Sequence, residues 1–280
     1  MPGRLARARN VVKAWLLVAG AGALLGALGW ALGGYRLAAI FVFCVLLTAT
    51  ATYWYGERIV AGLVGAEELP AAEAPALRST VERLAARAHV AMPRLYIARD
   101  GFPLSFSAGR GPRGAAIGVS TGLLQALPPA ELEGLLAHEL AHVRSRDVLT
   151  QTAAVVLAAA IVEVSRLGGF AARALLFVLG PIAAALVHAV LSPKRELAAD
   201  LAAAALCETP HGLANALIRL EQASDLIDLR ANPATEPVYP LNPFPERGLA
   251  GLFATHPSVG ERVARLRALD PDWRERLRAA

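Results

Sequence analysis

Two histidines and a glutamate within residues 131–147, ELEGLLAHELAHVRSRD, have the types and the spacing of a metal site. Because an α-helix repeats every 3.6 residues, His138 and His142 project from one helical face and can bind the same metal ion. Glu139 follows the first histidine and can reach a water molecule on that metal. A carboxylate in that place is what a general base in metal-assisted hydrolysis requires.

The flanking residues favour a helix for this motif. Pro128 and Pro129 stand where a helix can begin, glutamates occupy its first turn, and Arg144 and Arg146 lie near its negative end. An H-E-x-x-H pattern on a helix is typical of zinc peptidases. The same pattern also arises by chance on an ordinary amphipathic helix, so a third ligand has to decide between the two interpretations.

A third ligand is available in residues 192–200, SPKRELAAD. A catalytic zinc ion has three protein ligands and one open position, and Glu196 can supply the missing carboxylate. Asp200 lies one turn along the same face and can accept a hydrogen bond from the free ring nitrogen of a ligand histidine. Considered alone, Glu196 would be a solvated glutamate at a helix start, near Lys194 and Arg195. Together with the upstream histidines, the ligand interpretation is favoured, with one Zn²⁺ per chain.

Several motifs in a fixed order resemble the HtpX-type membrane metalloproteases, which are relatives of the CAAX prenyl proteases. They are FSAGRGPRGAAIGVSTGLL, HELAHVRSRD, SPKRELAAD and ATHPSVGERVARL, and the likeness covers nearly the whole chain. It implies a gluzincin-like zinc peptidase domain with a small sheet. The roles it implies are zinc ligands His138, His142 and Glu196, the base Glu139, a supporting Asp200, and a pair, His256 and Arg262, that faces the substrate in the transition state.

The resemblance also implies a function, with one departure from the family pattern. The expected activity is zinc-dependent endopeptidase cleavage of unfolded, misfolded or damaged membrane proteins from the cytoplasmic side. Where such proteins usually have asparagine in a segment like P-N-A-F-A, this chain has PLSFS, residues 103–107. A substrate-holding role of that asparagine is therefore not carried over to Leu104.

Two other functions fit the same residues. A membrane protein that holds zinc as a structural clamp, or a chaperone-like scaffold, would keep the ligands but would not need Glu139. A processing protease of narrow specificity, such as a prenyl-protein peptidase, uses the same ligands in a larger helical chamber. The small number of candidate spans argues against such a chamber.

The composition indicates residence in a membrane. Hydrophobic residues make up 55% of the 280 residues, mean hydropathy is +0.45, and charged residues make up 18%. The net charge of +5 comes from arginines spread along the chain without a nucleic-acid motif, so no nucleic-acid partner is expected. The two cysteines form no disulfide framework or cysteine-based zinc site.

Two uncharged runs near the N-terminus predict a transmembrane hairpin. Residues 1–13 contain four basic residues and no acid, and residues 14–35 and 37–56 are uncharged on either side of Arg36. Each run is long enough to cross about 30 Å of hydrocarbon. A secretory signal peptide is the alternative, although the first run is longer than a usual signal core. The positive-inside rule then predicts a multi-pass protein of the cell (inner) membrane, with the N-terminus and the catalytic domain in the cytoplasm.

The segment before the metal motif has a soluble composition. Residues 67–75 read as a proline-punctuated linker, and residues 76–90 as an amphipathic helix. Residues 94–98 and 115–120 predict short strands on either side of a glycine-rich turn, GRGPRG. An edge of this sheet can bind an extended peptide along the cleft, or the sheet can be purely structural.

A second hairpin is predicted between the two metal motifs. Apolar runs occupy residues 148–162 and 174–192, and the chain must cross the membrane twice or not at all, because His142 and Glu196 meet at one metal. The first run is short, so a buried or partly inserted helix is the alternative. The lipid bilayer is thus an expected partner. The overall prediction is an α+β, mainly helical integral membrane protein with about four transmembrane helices. Its segments are 1–56, 57–147, 148–192 and 193–280.

The remaining histidines have simpler interpretations than metal binding. His89 has no motif partner and is expected at a helix end, and His211 is expected at a helix start. His188 is either functional or a neutral, hydrogen-bonded residue near the interface. Residues 232–245 contain five prolines and predict either a lid near the cleft or an inert connection.

Overall fold

Eight helices and four strands make up the part of the chain that the structure, a computed structural model, describes: residues 2–167, 193–224 and 257–272. The helices are α1 (Pro2–Leu63), α2 (Pro75–Ala88), α3 (Thr121–Ala126), α4 (Pro129–Ser145), α5 (Val148–Leu167), α6 (Pro193–Cys207), α7 (His211–Ser224) and α8 (Val259–Arg267). The strands are β1 (Ala66–Glu68), β2 (Arg94–Ala98), β3 (Ser105–Gly111) and β4 (Gly114–Ser120). The expectation of a mainly helical protein with a small sheet is confirmed.

Helix α1 is two antiparallel arms joined at a glycine pair. Gly34 has φ 68° and ψ −160°, a left-handed conformation that favours glycine, and it breaks the helix together with Gly33. A Cβ on Gly29 would lie 2.7 Å from the backbone of Ala38, so the arms touch where glycine leaves room. The sequence had suggested a boundary between the two arms at Arg36. The turn at Gly34 lies two residues earlier.

The membrane spans are established only coarsely. Among the described residues, one helix, Val12–Leu63, is long and apolar enough to cross a membrane by length and composition. Val148–Leu157 is an apolar part of α5, and Val148, Ala154 and Val155 within it are fully buried. This part of α5 packs against α1 and β3, as in the alternative of a helix buried within the protein. Four spans are not established, and residues 174–192 lie outside the described residues.

The sheet has the strand order β1-β2-β4-β3, with β2 and β4 parallel and both outer strands antiparallel to their neighbours. Strands β2 and β4 were predicted, but β1 and β3 were not. The sequence of β3, SFSAGRG, is rich in small residues and lacks an alternating apolar pattern. Its glycine-rich end was interpreted as a turn, whereas Gly109 and Gly111 pair with β4 across a bulge at φ 125°.

The two faces of the sheet cover different cores. Ile117 and Val119 belong to the larger core, which the sheet shares with α2, α4 and α7. Phe106 and Ala116 belong to the core that includes residues of α1 and α5. Because side chains alternate along a strand, Ser105, which is paired with Val119, faces the α4 side.

Close glycine contacts position the helix that carries the metal motif. A Cβ on Gly134 of α4 would lie 2.4 Å from the backbone nitrogen of Leu213, and one on Gly212 would lie 2.4 Å from the carbonyl of Ala130. Helices α4 and α7 therefore approach to backbone contact. The absence of side chains at these two positions fixes how α4 sits against the rest of the domain.

Candidate metal centre

The metal motif lies in the last turns of α4, as predicted. Pro129 occupies the first helical turn, and Arg146 ends the helix in a left-handed conformation with φ 64°. His138 and His142 are each 2% exposed, and their rings stand edge to face with centroids 4.7 Å apart. The helix thus buries both imidazoles against its neighbours instead of presenting them to solvent.

Three ligand atoms converge at one point. The Nε2 atoms of His138 and His142 are 3.1 Å apart, and the Oε2 atom of Glu196 lies 3.4 Å and 3.6 Å from them. Ligand atoms about 2.0–2.2 Å from a tetrahedral metal would be roughly 3.3–3.6 Å apart. All three residues are buried, and they form a group that could hold a metal ion. The donor set therefore fits one metal ion.

A carboxylate on the far side of each imidazole sets its orientation. Asp200 Oδ1 lies 2.9 Å from Nδ1 of His138, and the Asp147 carboxylate lies 3.1–3.2 Å from Nδ1 of His142. With Nδ1–H donating to these oxygens, each Nε2 keeps its lone pair for the metal. Asp200 was predicted in this role. Asp147 was not predicted in such a role. It directly follows Arg146, whose left-handed conformation ends α4.

Two arginines donate hydrogen bonds to the carboxylates of Asp200 and Glu196. Arg262, fully buried, donates from Nε and Nη2 to the two oxygens of Asp200 at 2.8 Å and 2.7 Å. Arg195 donates to Oε1 of Glu196 at 2.8 Å, which leaves Oε2 of that carboxylate directed at the histidines. The sequence had indicated Arg195 only as a charge near Glu196 at a helix start.

The surrounding charges determine the protonation of the centre. Burial lowers the pKa of His142, but neighbouring carboxylates, Asp147 first, outweigh it and raise that pKa to about 10. The pKa of His138 is raised in the same way, against burial, by hydrogen bonds of which that of Asp200 is the largest. Burial acts to raise the pKa of Asp200, yet Arg262 and His138 lower it to about 2. The centre therefore favours added positive charge.

The predicted base has a partner that the sequence did not reveal. Ser105 of β3 donates from Oγ to Oε1 of Glu139 at 2.8 Å, and both side chains are buried. A buried carboxylate needs such a donor, because leaving it without a hydrogen bond costs free energy. Ser105 lies in the PLSFS segment that departs from the family pattern, which was the available signal. The neighbouring Leu104 points into the core on the α1 side of the sheet.

The structure brings most of the predicted site residues together. His138, Glu139, His142, Glu196, Asp200 and Arg262 all lie at this centre. His256, His188 and residues 232–245 lie outside the described residues. His89 ends α2, and His211 begins α7, where its Nε2 lies 2.8 Å from an oxygen of Asp270.

Comparisons with known proteins identify the family. The sequence profile of peptidase family M48 matches residues 71–270. The chain belongs to family M48. A protease HtpX homolog of Pelotomaculum thermopropionicum is 37% identical over 93% of this chain and 99% of its own length. Another, from Acidiphilium cryptum, is 40% identical over 92% of this chain and 96% of its own length.

A solved structure is also similar to this M48 peptidase. The crystal structure of S. mikatae Ste24p aligns with 93% of this chain and 66% of its own chain, at 17% identity and a TM-score of 0.48. The family and the His-His-Glu cluster together make the protein a metalloprotease. The HtpX-type resemblance is confirmed by the curated relatives and the family match.

Replacing Ser105 tests its contact with Glu139, the predicted base of this M48 peptidase. Ser105→Ala removes a hydrogen bond to a buried carboxylate, so kcat/KM should fall about 10-fold or more while the metal content stays native. Ser107→Ala is the matched control, because it lies on the same strand and its buried Oγ has no hydrogen-bond partner among the described residues. Equal activity of both variants would contradict the assignment.

Replacing Arg262 tests whether it supports His138, a predicted metal ligand, through Asp200. Arg262→Gln removes the bidentate pair that orients Asp200, and metal affinity, measured by competition with a chromophoric chelator, should fall about 10–100-fold. Arg265→Gln is the control, since Arg265 lies on the same helix in an exposed pair with Glu261. Native metal affinity in Arg262→Gln would show that Arg262 does not act through Asp200.

Proposed function

We propose that this M48 metalloprotease is a membrane-anchored zinc endopeptidase that cleaves misfolded or damaged membrane proteins from the cytoplasmic side. The observation that carries the proposal is the convergence of two imidazole nitrogens and one carboxylate oxygen within 3.6 Å, beside a buried glutamate. Relatives named protease HtpX homolog match almost their full length, which supports the same reaction here.

Zinc is the metal that best suits the donor set. Two imidazoles and a carboxylate with an open fourth position are typical of catalytic zinc, whereas calcium and magnesium prefer oxygen ligands alone. When bound, zinc would supply a Lewis acid that polarises the scissile carbonyl and acidifies a water molecule. His138, His142 and Glu196 would hold it, and their burial keeps bulk water from competing for the donors.

Glu139 performs the proton transfers in this proposal. It takes the proton of the attacking water and later delivers it to the leaving amine. Ser105 occupies Oε1 of the carboxylate, so Oε2 is the oxygen available for the proton. An extended substrate would lie along β3, the sheet edge that carries Ser105, through main-chain hydrogen bonds.

The oxyanion role implied by the family for His256 and Arg262 remains a prediction. The contacts of Arg262 support an additional role, since two of its guanidinium nitrogens are bonded to Asp200 behind His138. We propose that this pair keeps the imidazole of His138 in the tautomer that binds the metal.

The membrane arrangement is proposed from α1. Large aromatic residues are exposed at both ends of its arms: Trp15, Tyr53, Trp54 and Tyr55 at one end, and Trp30 and Tyr35 at the other. The 18 helical rises from Tyr35 to Tyr53 span roughly 27 Å, close to the ~30 Å of bilayer hydrocarbon. Such aromatic belts favour a spanning hairpin. A second hairpin over residues 148–192 would complete four spans.

The scaffold alternative is less well supported than catalysis. A zinc clamp needs the three ligands but gives no reason to bury Glu139 beside them with a dedicated hydrogen-bond donor. A processing protease of narrow specificity would use the same centre. It differs from the proposal in the substrates it accepts, so trials with unfolded membrane proteins separate the two.

Replacing Glu139 tests catalysis directly. Glu139→Gln should retain zinc near one per chain but lower cleavage of an unfolded membrane protein at least about 100-fold, because a general base contributes that much. Glu133→Gln on the same helix is the control, since Glu133 pairs with Arg83 at the surface. If the native chain binds zinc but does not cleave, the scaffold function is favoured. If the native chain binds no zinc, the ligand assignment is refuted.

Cysteine labelling tests the orientation. In a chain without Cys44 and Cys207, Arg36→Cys at the hairpin tip should react with a membrane-impermeant maleimide in intact cells. Arg58→Cys, near the end of the second arm that lies away from the tip, should react only after permeabilisation. The reversed pattern would place the catalytic domain outside, and equal labelling of both would argue against a spanning hairpin.

A further inference from the structure

A basic cavity lies where the second arm of α1 meets the turn between β3 and β4. It has a volume of about 150 Å³, roughly ten times the ~10–15 Å³ that a single water molecule needs. Three arginines line it, Arg94, Arg110 and Arg113, together with Tyr53 and Trp54 of α1. The metal ligands do not line this cavity, so it is separate from the metal centre.

The guanidinium of Arg110 is held in place by aromatic rings. It lies 4.9 Å from the centroid of Trp54 and 5.7 Å from that of Tyr53, within the range of cation–π attraction. A Cβ on Gly114 would lie 2.7 Å from Nε of Arg110, so glycine there leaves room for the arginine. A guanidinium held beside aromatic rings still has N–H groups that can bond a planar or tetrahedral oxyanion.

The charges of the cavity favour an anion. Glu57 is the only carboxylate among the lining residues, and it is 4% exposed and paired with Arg94. Three arginines against one glutamate leave a formal charge of +2. A ligand with net negative charge is attracted by this excess of positive charge, whereas a zwitterionic one gains less.

The position of the cavity indicates which anion it meets. Tyr53, Trp54 and Tyr55 are exposed at the end of the apolar arm, where aromatic side chains favour the headgroup level of a bilayer. This step rests on the proposed membrane crossing of α1. At that level the anions at high local concentration are lipid phosphates.

We propose that this cavity binds the headgroup phosphate of an anionic phospholipid of the phosphatidylglycerol type. Arg110 and Arg113 hold the phosphate oxygens, and Arg94 completes the basic lining while neutralising Glu57. The headgroup is thereby tied to β3, the strand that carries both Arg110 and Ser105. The lipid thus contacts the element that supports Glu139, at a distance from the metal.

Titration of the detergent-purified full-length chain tests this site independently of its topology in cells. Isothermal titration calorimetry would compare dioctanoyl phosphatidylglycerol, dioctanoyl phosphatidylcholine and inorganic phosphate. The phosphatidylglycerol should bind at least about 10-fold more tightly than either of the others, and the binding should weaken with salt. Because no cleavage is measured, failure of the proposed protease function would leave this result unaffected.

Substitutions locate the site. Arg110→Gln and Arg113→Gln should each weaken phosphatidylglycerol binding about 10-fold, as loss of a charge-assisted hydrogen bond does, with unchanged thermal unfolding midpoints. Arg110→Lys should recover only part of the loss, because lysine lacks the planar fork. Arg58→Gln is the control, since Arg58 is exposed on the same arm outside the cavity and should change affinity less than about 2-fold.

Three outcomes would overturn the proposal. Equal binding of the two lipids would show no preference for an anionic headgroup. Equal weakening by Arg58→Gln and Arg110→Gln would show a diffuse surface charge instead of a site. Inorganic phosphate binding as tightly as the lipid would assign the cavity to a free phosphate ion.

Discussion

The structure depends on the balance of buried charge around three converging donor atoms. Two imidazole nitrogens and a carboxylate oxygen lie 3.1–3.6 Å apart in the protein interior, where lone pairs at that separation repel unless positive charge lies between them. Carboxylates on the far sides of the rings add negative charge, and Arg195 and Arg262 compensate part of it. A bound cation completes the balance, so the fold and the metal are expected to stabilise each other.

This constraint explains why separate parts of the chain must meet. The histidines come from α4, the third ligand from α6, the buried arginine from α8 and the donor to Glu139 from β3. None of these elements carries a complete site. Close packing at Gly134 and Gly212 therefore affects the geometry of the site, because it sets the distance between α4 and α7.

The sequence predicted the centre better than its surroundings. His138 and His142 follow from local helical spacing, and Glu196 follows from the third ligand that a catalytic metal requires. Ser105 acts through a tertiary contact, and no local pattern indicates that its partner is Glu139. Arg195 bonds its sequence neighbour Glu196, a contact that many side-chain conformations of the two residues could have avoided. Strand β3 was missed because its small residues fill a crowded interface, where packing outweighs intrinsic strand preference. The sequence predicted the break in α1 near Arg36, whereas the left-handed conformation of Gly34 puts it two residues earlier.

X-ray absorption at the zinc edge of the purified chain tests the central claim most directly, since it reports the donor atoms themselves. The account predicts one zinc with two imidazole nitrogens and one or two oxygens at about 2.0–2.2 Å. It also predicts that His142→Ala removes one imidazole from the spectrum. Sulfur at about 2.3 Å, or a native spectrum unchanged by His142→Ala, would show that the metal is bound elsewhere and would contradict the account.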